Sequence, residues 1–171
     1  MNEDIKIQTF DRGNKPDDKL GVQIVAVYEK NYPHMHRPED RVEDLVRRDS
    51  PDQIRILLEE AVLFVATNVK DEVLGILEWK EREMEDGVYV VLAWMLVNET
   101  LRGQGVGSTL HRKFENAAKE AKARHAKPVA QFLNVHDENP AKDRYAHWGY
   151  EEFHYEKPER PSTSFMWKMV E

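Results

Sequence analysis

Apolar residues recur along this chain in two rhythms, every second position and every third or fourth. Their order predicts a mixed α/β protein. Ile5 and Ile7 alternate with polar neighbours, as in a short strand, and the stretch from Asp11 to Lys19, rich in Asp, Gly, Asn and Pro, reads as a loop. Leu20, Ile24, Val27 and Tyr28 have helical spacing, which predicts a helix over about Asp18 to Lys30, broken by Tyr32 to Pro38. A second helical stretch carries Val42, Leu45 and Val46. Ser50-Pro51-Asp52-Gln53 then has the form of a capping box opening a short helix through Glu60. Three strands follow, Ala61 to Val69, Val73 to Glu81 and Val88 to Val97; the polar links between them imply an antiparallel meander. Leu110, Phe114, Ala117, Ala118 and Ala121 share one face of a helix from Thr109 to His125, whose exposed side suggests Glu115–Lys119 and Glu120–Arg124 pairs. Val129 to Val135 reads as a strand parallel to its predecessor, because a helix intervenes. Asn139 and Pro140 have the form of an N-cap and first helical position, with Gly149 as the stop of a helix about ten residues long. Tyr150 to Tyr155 and Ser164 to Val170 close the chain as strands around the loop at Lys157 to Pro161.

Composition narrows the class. A chain of 171 residues, 40% hydrophobic and 33% charged, is expected to form one domain, 1–171, with a substantial core. Without cysteine there is no disulfide, thiolate metal site or cysteine nucleophile. No apolar run approaches a membrane span and the acidic start is no signal peptide, so the expected location is cytoplasmic, with no membrane partner. A formal net charge of −7 argues against nucleic acid as a partner and favours cationic ones such as amines.

The richest chemistry lies in Arg102-Gly103-Gln104-Gly105-Val106-Gly107-Ser108, between a predicted strand and a predicted helix. Glycines let backbone approach a ligand closely. A helix start offers unpaired N–H groups and a positive dipole end, so the junction suits a pyrophosphate. The register matches neither a nucleotide-triphosphate loop nor a dinucleotide fingerprint, and an ordinary glycine-rich turn is the alternative. Arg102-x-x-Gly105-x-Gly107 resembles the acyl-CoA signature of the GNAT superfamily of N-acetyltransferases. A second segment, Asn139 to Tyr150, resembles that family's later motif through Ala141, Tyr145 and Gly149, although family members usually carry the asparagine where this chain has Glu138.

The resemblance implies an α/β (α+β) fold: a mixed, mostly antiparallel central sheet of about six or seven strands, helices on both faces, and a splayed parallel pair. It implies acetyl-CoA as co-substrate, with no metal. The amides of Arg102, Gly103, Gln104, Gly105, Val106, Gly107 and Ser108 would hold the pyrophosphate, Leu96 and Val97 would pair with the pantetheine arm, and Asn139 and Tyr145 would contact it. The Val97 amide would polarise the thioester carbonyl. An amine would attack that carbonyl directly through a tetrahedral intermediate. Tyr145 stands where the family places the acid for the leaving thiolate, or it hydrogen-bonds the sulphur, or it packs.

The base is open. Val88 to Val97 carries no Asp, Glu or His, which leaves Glu78, His136 and Asp137; Glu78 reads more readily as a solvated strand residue, and a loop histidine such as His136 is usually just exposed. His34-Met35-His36 alternates as a metal pair can, but lacks further ligands in spacing; the resemblance makes this loop a wall of the acceptor pocket. Trp79, Trp94 and Trp148 line that pocket or the core. The function expected is acetyl transfer to a small-molecule primary amine. A protein lysine or N-terminal acetyltransferase and a non-catalytic acyl-CoA-binding module are the alternatives. Relatives often pair, and the apolar face of the last strand (Phe165, Trp167, Met169) suits a homodimer.

Overall fold

The computed structural model of the protein describes residues 4–35, 47–153 and 163–171, and the side chains among them except those of 32–35. The elements run β1 (Lys6–Phe10), α1 (Asp18–Met35), α2 (Pro51–Leu57), β2 (Val62–Thr67), β3 (Val73–Glu83), β4 (Val88–Val97), a 3-10 turn (Glu99–Leu101), α3 (Val106–Arg124), β5 (Val129–His136), α4 (Ala141–His147), β6 (Glu151–Phe153) and β7 (Thr163–Met169). The seven strands among the described residues form one sheet, ordered β1-β2-β3-β4-β5-β7-β6. The β4–β5 pair is parallel, whereas β1–β2, β2–β3, β5–β7 and β6–β7 are antiparallel. The mixed α/β architecture with one parallel pair is the expected one. The chain divides into two compact units: Met1–Trp79 with Trp94–Phe114, and Lys80–Ala93 with Glu115–Glu171.

In the first unit, Ile24 and Tyr28 of α1, Ile54 of α2, Leu63 and Val65 of β2 and Ile76 of β3 form a buried cluster with Phe10 and Leu58. Each such side chain contributes about 1.5–3 kcal/mol by leaving water. Trp94 and Leu96 pack against this cluster as partly buried residues. Ser50 Oγ accepts the Gln53 N–H at 3.2 Å and so caps α2, as its sequence suggests, but the helix ends at Leu57 rather than reaching Glu60. The expected break at Tyr32 to Pro38 comes late, since α1 continues through Pro33 to Met35. A proline near a helix end forfeits a single ladder bond, which the rest of an 18-residue helix tolerates. The helical stretch read at Val42 to Val46 lies outside the described residues, as do His36 and the loop at Lys157 to Pro161.

In the second unit, Ala117, Ala118 and Ala121 of α3 and Val129, Leu133, Val135, Tyr145, Tyr150 and Met166 are buried. The ion pairs expected along α3 give way to partners on strands. Glu115 takes Lys168 of β7 at 2.8 Å, and Arg124 takes Glu81 of β3 at 2.8 Å, beside His125 at 2.5 Å. Lys127 reaches Glu83 at 3.1 Å and Met84 O at 3.0 Å, so the end of α3 is fastened to the β3–β4 turn. Gly149 ends α4 at φ +91°: its N–H donates to Ala146 O and the Tyr150 N–H to Tyr145 O, the two bonds of a Schellman stop.

Candidate active site

The glycine junction is built by division of labour. Gly103 and Gly105 lie at φ +81° and +86°, a region L side chains resist, and a methyl group on either would meet nothing within 4 Å. Their backbone is therefore open to a ligand. Helix α3 starts three positions before the Thr109 expected from periodicity, so Gly107 belongs to its first turn and is buried. The first ladder bond of α3 runs from Thr109 N–H to Gly105 O at 3.0 Å. The amides of Val106, Gly107 and Ser108 thus precede the ladder at the positive end of a 19-residue helix. Two of the expected donors have partners already: Arg102 N–H donates to Glu99 O at 3.4 Å and Gln104 N–H to Leu101 O at 3.3 Å. Only the glycine and α3 amides are left for an anion. This arrangement fits a pyrophosphate by backbone geometry alone.

Upstream of this loop, the Asn98 side chain accepts from Thr100 N–H at 3.3 Å and from Thr100 Oγ1 at 3.2 Å, while its own N–H donates to Leu74 O at 3.0 Å. The exit of β4 is therefore held by β3. Leu96 and Val97 are half-buried there. The β4–β5 ladder runs from Val88↔Val129 to Leu92↔Leu133, and β4 continues beyond it to Val97.

Glu78 is no solvated strand residue. It is 4% exposed, and both of its carboxylate oxygens are engaged. Arg48 donates to Oε2 through Nε at 2.9 Å and to Oε1 through Nη2 at 3.0 Å, and Tyr28 O–H donates to Oε2 at 2.7 Å. The guanidinium also lies 5.4 Å from the Tyr28 ring centroid. Burial, then the Glu78 charge, pushes the Tyr28 phenol well above its ordinary range. A carboxylate locked in a bidentate pair holds its lone pairs on the arginine, so this geometry ties α1 and the segment before α2 to β3. Neither Tyr28 nor Arg48 carried a sequence signal for this pairing.

In the second unit, His136 is the last residue of β5, opposite Thr163 of β7, and not a loop residue as its position suggested. Its Nδ1 accepts the Glu138 N–H at 3.3 Å, which puts the proton of the neutral ring on Nε2. Asp137 accepts from Ser164 Oγ. Asn139 Oδ1 accepts the Ala141 N–H at 2.9 Å, so its side chain starts α4 even though the helix begins one residue later than expected. Tyr145 is 6% exposed, set edge-on between Trp148 at 5.9 Å and Tyr150 at 5.8 Å. Burial raises its phenol to about 12. Trp79 is buried against Phe64 and Phe114, in the core rather than lining a pocket. Among the described residues no helix is long and apolar enough to cross a membrane.

The chain thus carries an open strand-to-helix turn and a sheet with one parallel pair. A family model described as the acetyltransferase (GNAT) domain matches residues 59–152. The chain belongs to this family and is an acyl-CoA-dependent N-acetyltransferase. A GNAT-family acetyltransferase from Staphylococcus aureus Mu50 shares the fold at 18% identity, with TM-score 0.65 and 98% and 99% of the two chains covered. The PaiA N-acetyltransferase from Thermoplasma acidophilum, in complex with coenzyme A, is similar at 14% identity, TM-score 0.66, covering 96% and 98%. An aminoglycoside 6′-N-acetyltransferase complexed with coenzyme A is similar at 15% identity, TM-score 0.67, covering 96% and 97%. No curated protein matches the chain in sequence.

Proposed function

We propose that this enzyme transfers an acetyl group from acetyl-CoA to a primary amine of a small molecule in the cytoplasm, without a metal. The observation that carries the reading is the pair of positive-φ glycines before the α3 amides, which suits main-chain capture of the coenzyme A diphosphate. The net charge of −7 favours a cationic acceptor, and one fold neighbour is an aminoglycoside acetyltransferase. In this reading the pantetheine arm pairs with β4 near Leu96, and the Val97 N–H polarises the thioester carbonyl. The amine lone pair attacks the carbonyl carbon, the C=O electrons move to oxygen, and their return breaks the C–S bond and releases the coenzyme A thiolate.

The proton balance follows from the side chains. Glu78 is paired with Arg48, Asp137 accepts from Ser164 Oγ, and His136 Nδ1 accepts the Glu138 N–H. Water therefore takes the amine proton, and the neutral fraction of the amine reacts, about one part in 2,500 at neutral pH for a lysine-like amine. A phenol at about 12 holds its proton against a thiol near pKa 8.5 by about 5 kcal/mol, so full proton transfer from Tyr145 to a thiolate is disfavoured and coenzyme A leaves as the thiolate. Release of coenzyme A from acetyl-CoA, screened over small amines and over lysine and N-terminal peptides, tests the proposal. Turnover with amines supports it. Turnover confined to peptides overturns it, as does the absence of any amine-stimulated release.

A further inference from the structure

Gly75 stands inside an otherwise large-residue strand, fully enclosed, where a glycine weakens strand propensity without an evident return. A methyl group on it would lie 2.9 Å from Leu96 O, 3.2 Å from Val106 Cγ1 and 3.3 Å from Val97 Cα. Ordinary carbon contacts begin near about 3.5 Å, so the end of β4 and the first residue of α3 occupy the space of the missing side chain. The neighbouring residue fixes the same strand end from the other side, since Leu74 O accepts the Asn98 N–H at 3.0 Å. Backbone seated this closely, and hydrogen-bonded at the next residue, has one position available.

We propose that Gly75 is a positioning residue for acyl transfer: its absent side chain sets the depth of the Leu96–Val97 backbone and of the α3 N-terminus. The inference rests on the reading that the Val97 amide polarises the thioester. A shift of about 1 Å at a reacting group costs on the order of a hundredfold in rate, so the roughly half-ångström displacement required by a methyl group lowers kcat about tenfold.

The same chain supplies a matched control. A methyl on Gly87, immediately before β4, would lie 2.9 Å from Pro128 O, the carbonyl that accepts the Val88 N–H at 2.9 Å. Gly75→Ala and Gly87→Ala therefore each press a methyl group to 2.9 Å from a carbonyl oxygen, one beside each end of β4. The test binds acetyl-CoA, labelled with carbon-13 at the acetyl carbonyl, to wild type and both variants. It reads affinity by calorimetry and the thioester carbonyl band by isotope-edited infrared spectroscopy. The expected result is an affinity within about threefold in all three proteins. The carbonyl band should be displaced from its free position in wild type and Gly87→Ala, and should return at least halfway in Gly75→Ala, with the loss of kcat confined to that variant. An unchanged band in Gly75→Ala, or equal changes in both variants, overturns the proposal. If Gly75→Ala does not fold, Gly75→Ala with Val106→Ala restores room on the helix side while keeping the Leu96 O collision, and a wild-type band there overturns it as well. Wild type that binds no acetyl-CoA sinks the underlying reading instead, and this inference with it.

Discussion

Replacing Glu78 by glutamine separates two roles that a carboxylate on β3 could play. The substitution leaves the shape of the side chain and removes its charge, so Arg48, whose side chain is 14% exposed, becomes a buried cation without a counter-ion. Breaking one partner of a buried ion pair costs about 3–5 kcal/mol. Because glutamine still accepts one of the hydrogen bonds, the lower end, about 3 kcal/mol, is the expected loss. For a chain of this length each kcal/mol moves the midpoint by about 2–4 °C, so thermal unfolding of Glu78→Gln should begin about 6–12 °C below wild type. The double variant Glu78→Leu with Arg48→Met removes both charges and should recover most of that loss, because a well-packed apolar pair replaces a buried ion pair at little net cost.

Activity is read beside stability. If Glu78 only anchors α1 and the segment before α2, the folded double variant keeps kcat within about tenfold of wild type at a temperature where both are native. If Glu78 is the base, Glu78→Gln loses at least about a hundredfold in kcat with a melting point within about 2 °C of wild type, in line with the usual contribution of a general base. That second pattern would refute the anchoring role and restore Glu78 to the chemistry.

Three further outcomes are expected. Gly103→Ala and Gly105→Ala each place a side chain at positive φ, so each should destabilise by about 1–3 kcal/mol and weaken coenzyme A binding in calorimetry; an unaltered affinity in both would remove the loop from the site. The kcat/KM for an amine should rise about tenfold per pH unit up to the amine's own pKa, and a plateau reached well below that pKa would show that a side chain of the enzyme takes the proton instead. Glu81 is partly buried, which alone would raise its carboxyl, but hydrogen bonds from Arg124 and His125 outweigh this and hold it below the ordinary value of 4.5. A carboxyl depressed in the fold contributes stability above its unfolded pKa and loses it as pH falls through the folded one. The melting-point gap between wild type and Glu81→Gln should thus be full at about pH 6 and close below about pH 4; a gap independent of pH would show that the pair adds nothing electrostatic.

The parts of this molecule that could be read before its structure are those written in neighbouring residues. Strand and helix periods located β4 at both ends, the Ser50 cap and the Gly149 stop, because each depends on a few consecutive positions. The Arg102-x-x-Gly105-x-Gly107 register is equally local, and it led to the cradle that the positive-φ glycines form. What failed was whatever depends on a partner far along the chain. Glu78 looked solvated because Leu77-Glu78-Trp79 does not reveal Tyr28, 50 positions earlier, or Arg48, 30 positions earlier. The α3 ion pairs were misassigned for the same reason, since Lys168 lies 53 positions from Glu115 and outcompetes the helical neighbour that spacing alone favours. Gly75 belongs between these cases. A glycine within an apolar strand is a legible sign that backbone comes close, yet only the register of three elements tells that the approaching backbone is Leu96 and Val97. A turn of consecutive residues is thus legible in a sequence, whereas what a buried glycine makes room for is invisible until the chain has folded back on itself.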